Sequence, residues 1–227
     1  MIFSLAILRF NLLGNPNIGI YALTTNSYTL IPTKNLKGKI KRISEFLKGQ
    51  LISTTFGGTR LIGVLAAANS NGVVLPNFTL DDEIRAMKAL LDINISRIKS
   101  KINAFGNFIL ANDNGGIVGK NLMQEKKIIH KIEDILDIEL VHGHIAGLPY
   151  VGSLAVATNT SVLAHPLLRD DEKKVLTDVL KVRVKLGTIN GGNPFISSGL
   201  LVNDHGAIIS HLTTGPEIMT ISNLFSV

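Results

Sequence analysis

Asn69-Ser70-Asn71-Gly72, set between the apolar runs Val64 to Ala68 and Val73 to Leu75, decides the fold because it comes back. The same turn chemistry returns as Asn112-Asp113-Asn114-Gly115 and as Asn203-Asp204-His205-Gly206. Counting outward, an Asn recurs between apolar stretches at Asn26, Asn69, Asn112, Asn159 and Asn203, with spacings of 43, 43, 47 and 44 residues in a chain of 227. A period of that size marks a repeat architecture, in which each unit carries a hydrophobic face it cannot bury alone. Asn and Asp side chains close a tight turn on their own backbone, and Gly supplies the positive φ, so each copy is predicted to hold a β-hairpin. The flanking runs, Val64 to Ala68 with Val73 to Leu75 and Phe108 to Ala111 with Ile117 and Val118, suit strands buried on both faces.

Beyond each hairpin the apolar period changes to that of an amphipathic helix. Ile40, Ile43, Phe46 and Leu47 show it, as do Leu80, Ile84, Met87 and Leu91, then Ile128, Ile129, Ile132, Ile135 and Leu136, and Val175, Leu176, Val179 and Leu180. Pro32, Pro76 and Pro166 separate hairpin from helix, and Asp81-Asp82-Glu83 and Asp170-Asp171-Glu172 put negative charge where a helix dipole favours it. A short strand follows each helix, such as Leu51 to Phe56 and Ile93 to Ile98, except the fifth, at about 216 to 225. The N-terminal run Ile2 to Phe10 has no helix before it, so it is predicted to pack beside the last helix and close a ring without free sheet edges. The fold class is therefore α/β, five pseudo-symmetric β/α repeats of about 44 residues in one domain spanning 1–227.

Composition bounds the function. Apolar residues make up 45% and charged residues 18%, with mean hydropathy +0.31, so the chain can bury a core. No apolar run approaches the roughly 20 residues of a membrane helix, and Met1 to Arg9 lacks the pattern of a signal peptide, so the cytoplasm is the expected compartment. The absence of Cys excludes disulfides and thiolate chemistry. A net charge of +6 and a pI near 9.6 suit an acidic partner such as RNA. The densest basic cluster, Lys34, Lys37, Lys39, Lys41 and Arg42, reads as a solvated helix face ahead of a phosphate-binding patch.

No catalytic constellation survives its plainer reading. His142 and His144 lack a third metal ligand, Gly57-Gly58 and Gly191-Gly192 lack the Lys-Ser/Thr of a phosphate loop, and the acidic triplets are explained by helix starts. No cofactor and no metal is expected. Asn107, after Gly106, reads as a turn residue ahead of a contact residue.

Several motifs in order carry a resemblance. Gly57-Gly58-Thr59-Arg60-Leu61-Ile62-Gly63, the hairpin from Asn69 to Pro76, Ala104-Phe105-Gly106-Asn107, Asn112 to Gly115, Asp178 to Val182, Gly187-Thr188-Ile189-Asn190 and Gly199 to Asp204 together resemble the translation initiation factor 6 family of archaea and eukaryotes over essentially the whole chain. The end at Val227, without the polar tail of eukaryotic members, resembles the archaeal branch. The resemblance implies a pentein, or β/α-propeller, fold. It implies a non-enzymatic monomer that binds the large ribosomal subunit beside ribosomal protein uL14 and near the sarcin-ricin loop, blocks joining of the small subunit, and in eukaryotes also serves large-subunit maturation. Mapped by motif, the ribosome-facing rim lies at the Gly turns of the repeats: Gly19, Val64, Asn107, Ser153, Asn190 and Phe195. Val64 stands where many eukaryotic relatives carry a basic residue. Two other classes remain: a general RNA-binding ring, which the 12 aromatic residues without Trp equip poorly for stacking, and a pentein guanidine-modifying enzyme, which would need a nucleophile other than Cys.

Overall fold

Each of the five hairpins forms, and the first four gain a third strand from the segment after their helix. The computed structural model describes residues 7–32 and 39–227, leaving aside the side chains of 39 and 40; Ile2 to Ala6 of the expected first strand, and Lys34 and Lys37 of the basic cluster, lie outside the described residues. The antiparallel pairs are Leu23–Thr24 with Tyr28–Ile31, Ala67–Ala68 with Gly72–Pro76, Ile109–Ala111 with Gly116–Val118, Ala155–Ala157 with Ser161–Ala164, and Leu200–Val202 with Ala207–Ile209. Gln50–Ser53, Asn94–Ile98, Leu140–His142 and Arg183–Leu186 add parallel to the first four. The strand thus placed in the middle of each sheet is buried along its whole length, which is why it reads as an unbroken apolar run.

The fifth sheet takes its third strand from the other end of the chain. Ile7–Arg9 pairs parallel with Ala207–Ile209, Ile7 opposite Ala207 and Arg9 opposite Ile209, and so closes the ring. The closing bonds are those of a sheet, and Ile7 packs on the cluster that holds Leu224 and Phe225 of the last helix. The helices Lys39–Leu47, Asp81–Lys88, Lys126–Leu136, Asp170–Leu180 and Gly215–Phe225 cover the sheets. Apolar clusters bridge neighbours: Val74 and Ile98 of the second sheet meet Ile109, Val118 and Leu140 of the third through Ile132 and Leu136. This is the β/α-propeller arrangement of a pentein.

The recurring Asn does more than close a hairpin. Asn112 Oδ1 accepts from the Asn114 and Gly115 amides, while its Nδ2 donates to the Thr158 and Leu180 carbonyls, both at 2.9 Å, in the next repeat. Asn69 and Asn203 do the same toward Asn112 and Leu136, and toward Thr25 and Leu47. Each therefore ties the C-terminal carbonyl of a long helix, and at Leu136 and Leu180 the Asn71 and Asn114 side-chain amides donate to the same oxygen. The structure corrects the repeat register at two copies. Thr25 and Thr158, whose hydroxyls accept from the turn amides, hold the Asn position, and Asn26 and Asn159 stand one residue later with Ser70, Asp113 and Asp204. That later position makes its own bonds between repeats: Asn26 and Asp204 bond reciprocally, as do Asn159 and Asp113.

Candidate interaction surface

At the opposite end of the ring axis from the Asn turns, five one-turn helices stand side by side: Ile18–Tyr21, Ile62–Leu65, Phe105–Phe108, Val151–Leu154 and Ile196–Gly199. Each begins with a side chain sealed from solvent, Ile18, Ile62, Phe105, Val151 or Ile196. The strands expected to begin at Val64 and at Phe108 instead begin at Ala67 and Ile109, because the residues before them are taken up by these helical turns.

The second position of each turn explains the small residues. A Cβ on Gly63 would stand 1.9 Å from the Gly19 carbonyl oxygen, one on Gly106 2.0 Å from that of Gly63, one on Gly152 2.1 Å from that of Gly106, and one on Gly19 1.8 Å from that of Ser197. None of these glycines has positive φ. Glycine is required here for backbone approach between repeats, not for the sharp turn that the sequence suggests at Gly106. In the fifth copy Ser197 takes the place and its hydroxyl donates to the Ser153 carbonyl. The five turns enclose an axial cavity of about 110 Å³ lined by small residues such as Ala22, Ala66 and Ala155.

The sequence-derived site residues fall into three groups. Val64, Asn107 and Ser153 occupy the third position of three adjacent turns and are half-buried on one face. Gly19 belongs to the interlocking second position, one residue earlier. Asn190 sits at the junction of the fifth and first repeats, with its Oδ1 accepting from Ser210 and Thr213 and its Nδ2 donating to the Pro16 carbonyl, so its amide is engaged within the ring. Phe195 is exposed, and it precedes its one-turn helix just as Leu61 and Tyr150 precede theirs, both exposed as well. Those two were missed by sequence reasoning; aligning the residue before each turn would have found them. Exposed Leu13 and Leu148 belong to the neighbouring tight turns, and the Tyr150 ring leans on Phe108 with centroids 5.2 Å apart.

Carboxylates hold three of the tight turns in place. Glu83 accepts from the Gly57 and Gly58 amides at 2.7 and 3.0 Å, Glu172 from Ala146 and Gly147 at 2.9 and 2.8 Å, and Glu217 from Gly191 and Gly192 at 3.0 and 2.9 Å. Burial would raise the carboxyl pKa of Glu217, but the amides of Thr214, Gly192 and Gly191 and the Thr188 hydroxyl outweigh it and bring it down to about 2. Glu83 and Glu172 are lowered by the same balance. The acidic helix starts read from the sequence thus have a second use. His142 and His144 meet edge to face at 4.6 Å; burial, then the charges of His144 and Lys120, push the His142 pKa down. Among the described residues no group of three or more His, Asp or Glu is placed to hold a metal ion, and no helix is long and apolar enough to cross a membrane.

A family model described as the eIF-6 family matches residues 7–224. The chain is 40% identical over 218 residues to translation initiation factor 6 of Staphylothermus marinus, covering 95% of each, and 40% identical over 223 residues to that of Methanocaldococcus jannaschii, covering 96% of each. Among solved structures, DDAH from Pseudomonas aeruginosa bound to citrulline aligns with 80% of this chain and 71% of its own at 12% identity and a TM-score of 0.44, too distant a likeness to argue from. The chain belongs to the eIF-6 family.

Proposed function

We propose that the protein acts in translation by binding the large ribosomal subunit and occluding the surface that the small subunit would meet, as a monomer in the cytoplasm and without chemistry of its own. The observation that carries this reading is membership of the family over nearly the whole chain, with relatives named as translation initiation factors at 40% identity. In support, the end of the ring with the one-turn helices exposes Leu61, Tyr150 and Phe195 around half-buried Asn107 and Ser153, a mixture of apolar and hydrogen-bonding groups suited to a protein surface such as uL14 beside the sarcin-ricin loop. A part in large-subunit maturation belongs to the same proposal.

Sedimentation with purified subunits tests it. The protein is expected to pellet with large subunits and not with small ones, and to slow subunit joining. Asn107→Lys should weaken that binding by about 2 kcal/mol or more, since a charge set into the centre of a docking face finds no partner. Lys41→Glu, on an exposed helix where Lys41 lies 3.9 Å from Glu45, should bind as the wild type does. Unchanged binding by Asn107→Lys together with loss in Lys41→Glu would move the contact to the basic helix.

A further inference from the structure

Three tight turns share a backbone geometry and an occupant, and a fourth shares the geometry alone. Gly57 and Gly58 have φ of 60° and 77°, Ala146 and Gly147 54° and 75°, and Asn190 and Gly191 53° and 79°, the last continuing to Gly192 at 102°. In each of these turns two successive amides point together at one carboxylate, that of Glu83, Glu172 or Glu217. The first repeat turns in the same way. Leu12 bridges Asn15, and Leu13 and Gly14 have φ of 55° and 77°. Neither the Leu13 nor the Gly14 amide finds an acceptor among the described residues. Leucine at positive φ is costly, so this turn is held in the conformation of the others despite its sequence.

The sequence register shows what is missing. Glu83, Glu172 and Glu217 stand four and eight residues before the buried pairs Met87 and Leu91, Leu176 and Leu180, and Ile221 and Phe225. Before Ile43 and Leu47 the same count falls on Lys39. Three repeats therefore carry an anion at this position and the first carries a cation. Next to the Leu13-Gly14 turn lies a cavity of about 390 Å³, lined by Gly14, Asn11, Arg9, Arg42 and His211 among others. Arg9 donates one hydrogen bond, at 3.4 Å, to the Thr213 carbonyl, and Asn11 Oδ1 accepts from the His211 amide. Converging turn amides form an anion-binding concavity, and guanidinium groups match the oxygens of phosphate.

We propose that the Leu13-Gly14 turn, with Arg9, Arg42 and His211 around it, binds a phosphate-type oxyanion in the place where the other repeats hold a glutamate. The occupant is either a backbone phosphate of RNA or free phosphate. The site is independent of the ribosome-facing reading, because its first test uses the free protein.

Thermal unfolding with inorganic phosphate, against sodium chloride at equal ionic strength, is the measurement. Phosphate at ten times its half-saturating concentration should raise the Tm by about 3–5 °C, saturably. Lys39→Glu, which installs the carboxylate of the other repeats, should raise the Tm without phosphate and abolish the phosphate response. Arg42→Glu, at an exposed position with no packing role, should raise the half-saturating concentration about tenfold or more. No phosphate-specific rise in the wild type overturns the proposal, as does a full response in either variant. Co-sedimentation of Arg42→Glu with large subunits then separates the sources: weakened binding that free phosphate also weakens in the wild type identifies an RNA phosphate, and unchanged binding identifies free phosphate, both with the site intact.

Discussion

Asn112, like Asn69 and Asn203, fills all of its side-chain hydrogen-bonding capacity across two repeats. Removing it as Asn112→Ala takes an acceptor from the part-buried Asn114 and buried Gly115 amides and a donor from the Thr158 carbonyl, and leaves the Leu180 carbonyl to the Asn114 side chain alone. The expected loss is about 2–4 kcal/mol, read as a lower urea midpoint with an unchanged slope. Only the hairpin half of this role was legible in the sequence, since Asn before Gly announces a turn but not the neighbour its amide will reach. The same gap explains the register error at Asn26 and Asn159, because Thr25 and Thr158 close their turns through a hydroxyl and look unlike the Asn they replace. Gly106→Ala is a second residue-scale case. Its added methyl would meet the Gly63 carbonyl oxygen at 2.0 Å and that of Ala66 at 2.7 Å, both backbone atoms. Two one-turn helices must separate, so a loss of about 3 kcal/mol is expected in the same urea experiment, and wild-type stability would contradict the interlocking.

Among the elements, the hairpins, long helices and trailing strands were legible because each shows a clean apolar period or turn motif. The one-turn helices were not. Ile62-Gly63-Val64-Leu65 is too short for a helical period to show, and its β-branched, apolar residues imitate a strand entering Ala67. The candidate surface suffered in consequence: Val64, Asn107 and Ser153 share one face, but Leu61 and Tyr150 were passed over, and the side-chain amide of Asn190, assigned to the same rim, binds inside the ring. The glutamate clamp gives the elements a pH dependence. The folded carboxyl of Glu217 lies near 2, below its ordinary 4.5. A group depressed on folding contributes stability above its unfolded pKa and loses it as pH falls toward the folded one. Stability should therefore drop between about pH 4.5 and pH 2, and Glu217→Gln, which keeps one acceptor but not the charge, should cost about 2 kcal/mol at pH 7 and flatten that part of the curve. Equal acid sensitivity in Glu217→Gln and wild type would show that other carboxylates govern it.

Across the whole molecule the repeats hold one another, so their stability depends on the ring being closed. Asn69, Asn112 and Asn203 each bond into the following repeat, and Tyr28, buried, donates to the Asn69 and Gly72 carbonyls of the second repeat at 2.8 and 3.1 Å. Closure at the fifth sheet was legible by counting, since one repeat lacked a trailing strand and one strand lacked a repeat; the parallel register of Ile7 against Ala207 was not, because a three-residue strand carries no register signal of its own. Deleting residues 1–10 removes that strand, strips buried Leu8 and Phe10 from the cluster they share with Ile31, Ile43 and Ile208, and leaves Ala207–Ile209 with an open edge. Two large buried side chains alone are worth about 2–5 kcal/mol each, against a total stability of about 5–15 kcal/mol. The truncated protein is expected to lose most of its stability and its cooperative unfolding. Its weakest seam should lie between the fifth and first repeats, where hydrogen exchange at the Leu200–Val202 and Leu23–Thr24 amides should accelerate before exchange in the third repeat. A truncated chain that unfolds at the wild-type midpoint, with uniform exchange, would mean that the ring is held by its neighbouring contacts alone and that the N-terminal strand is dispensable.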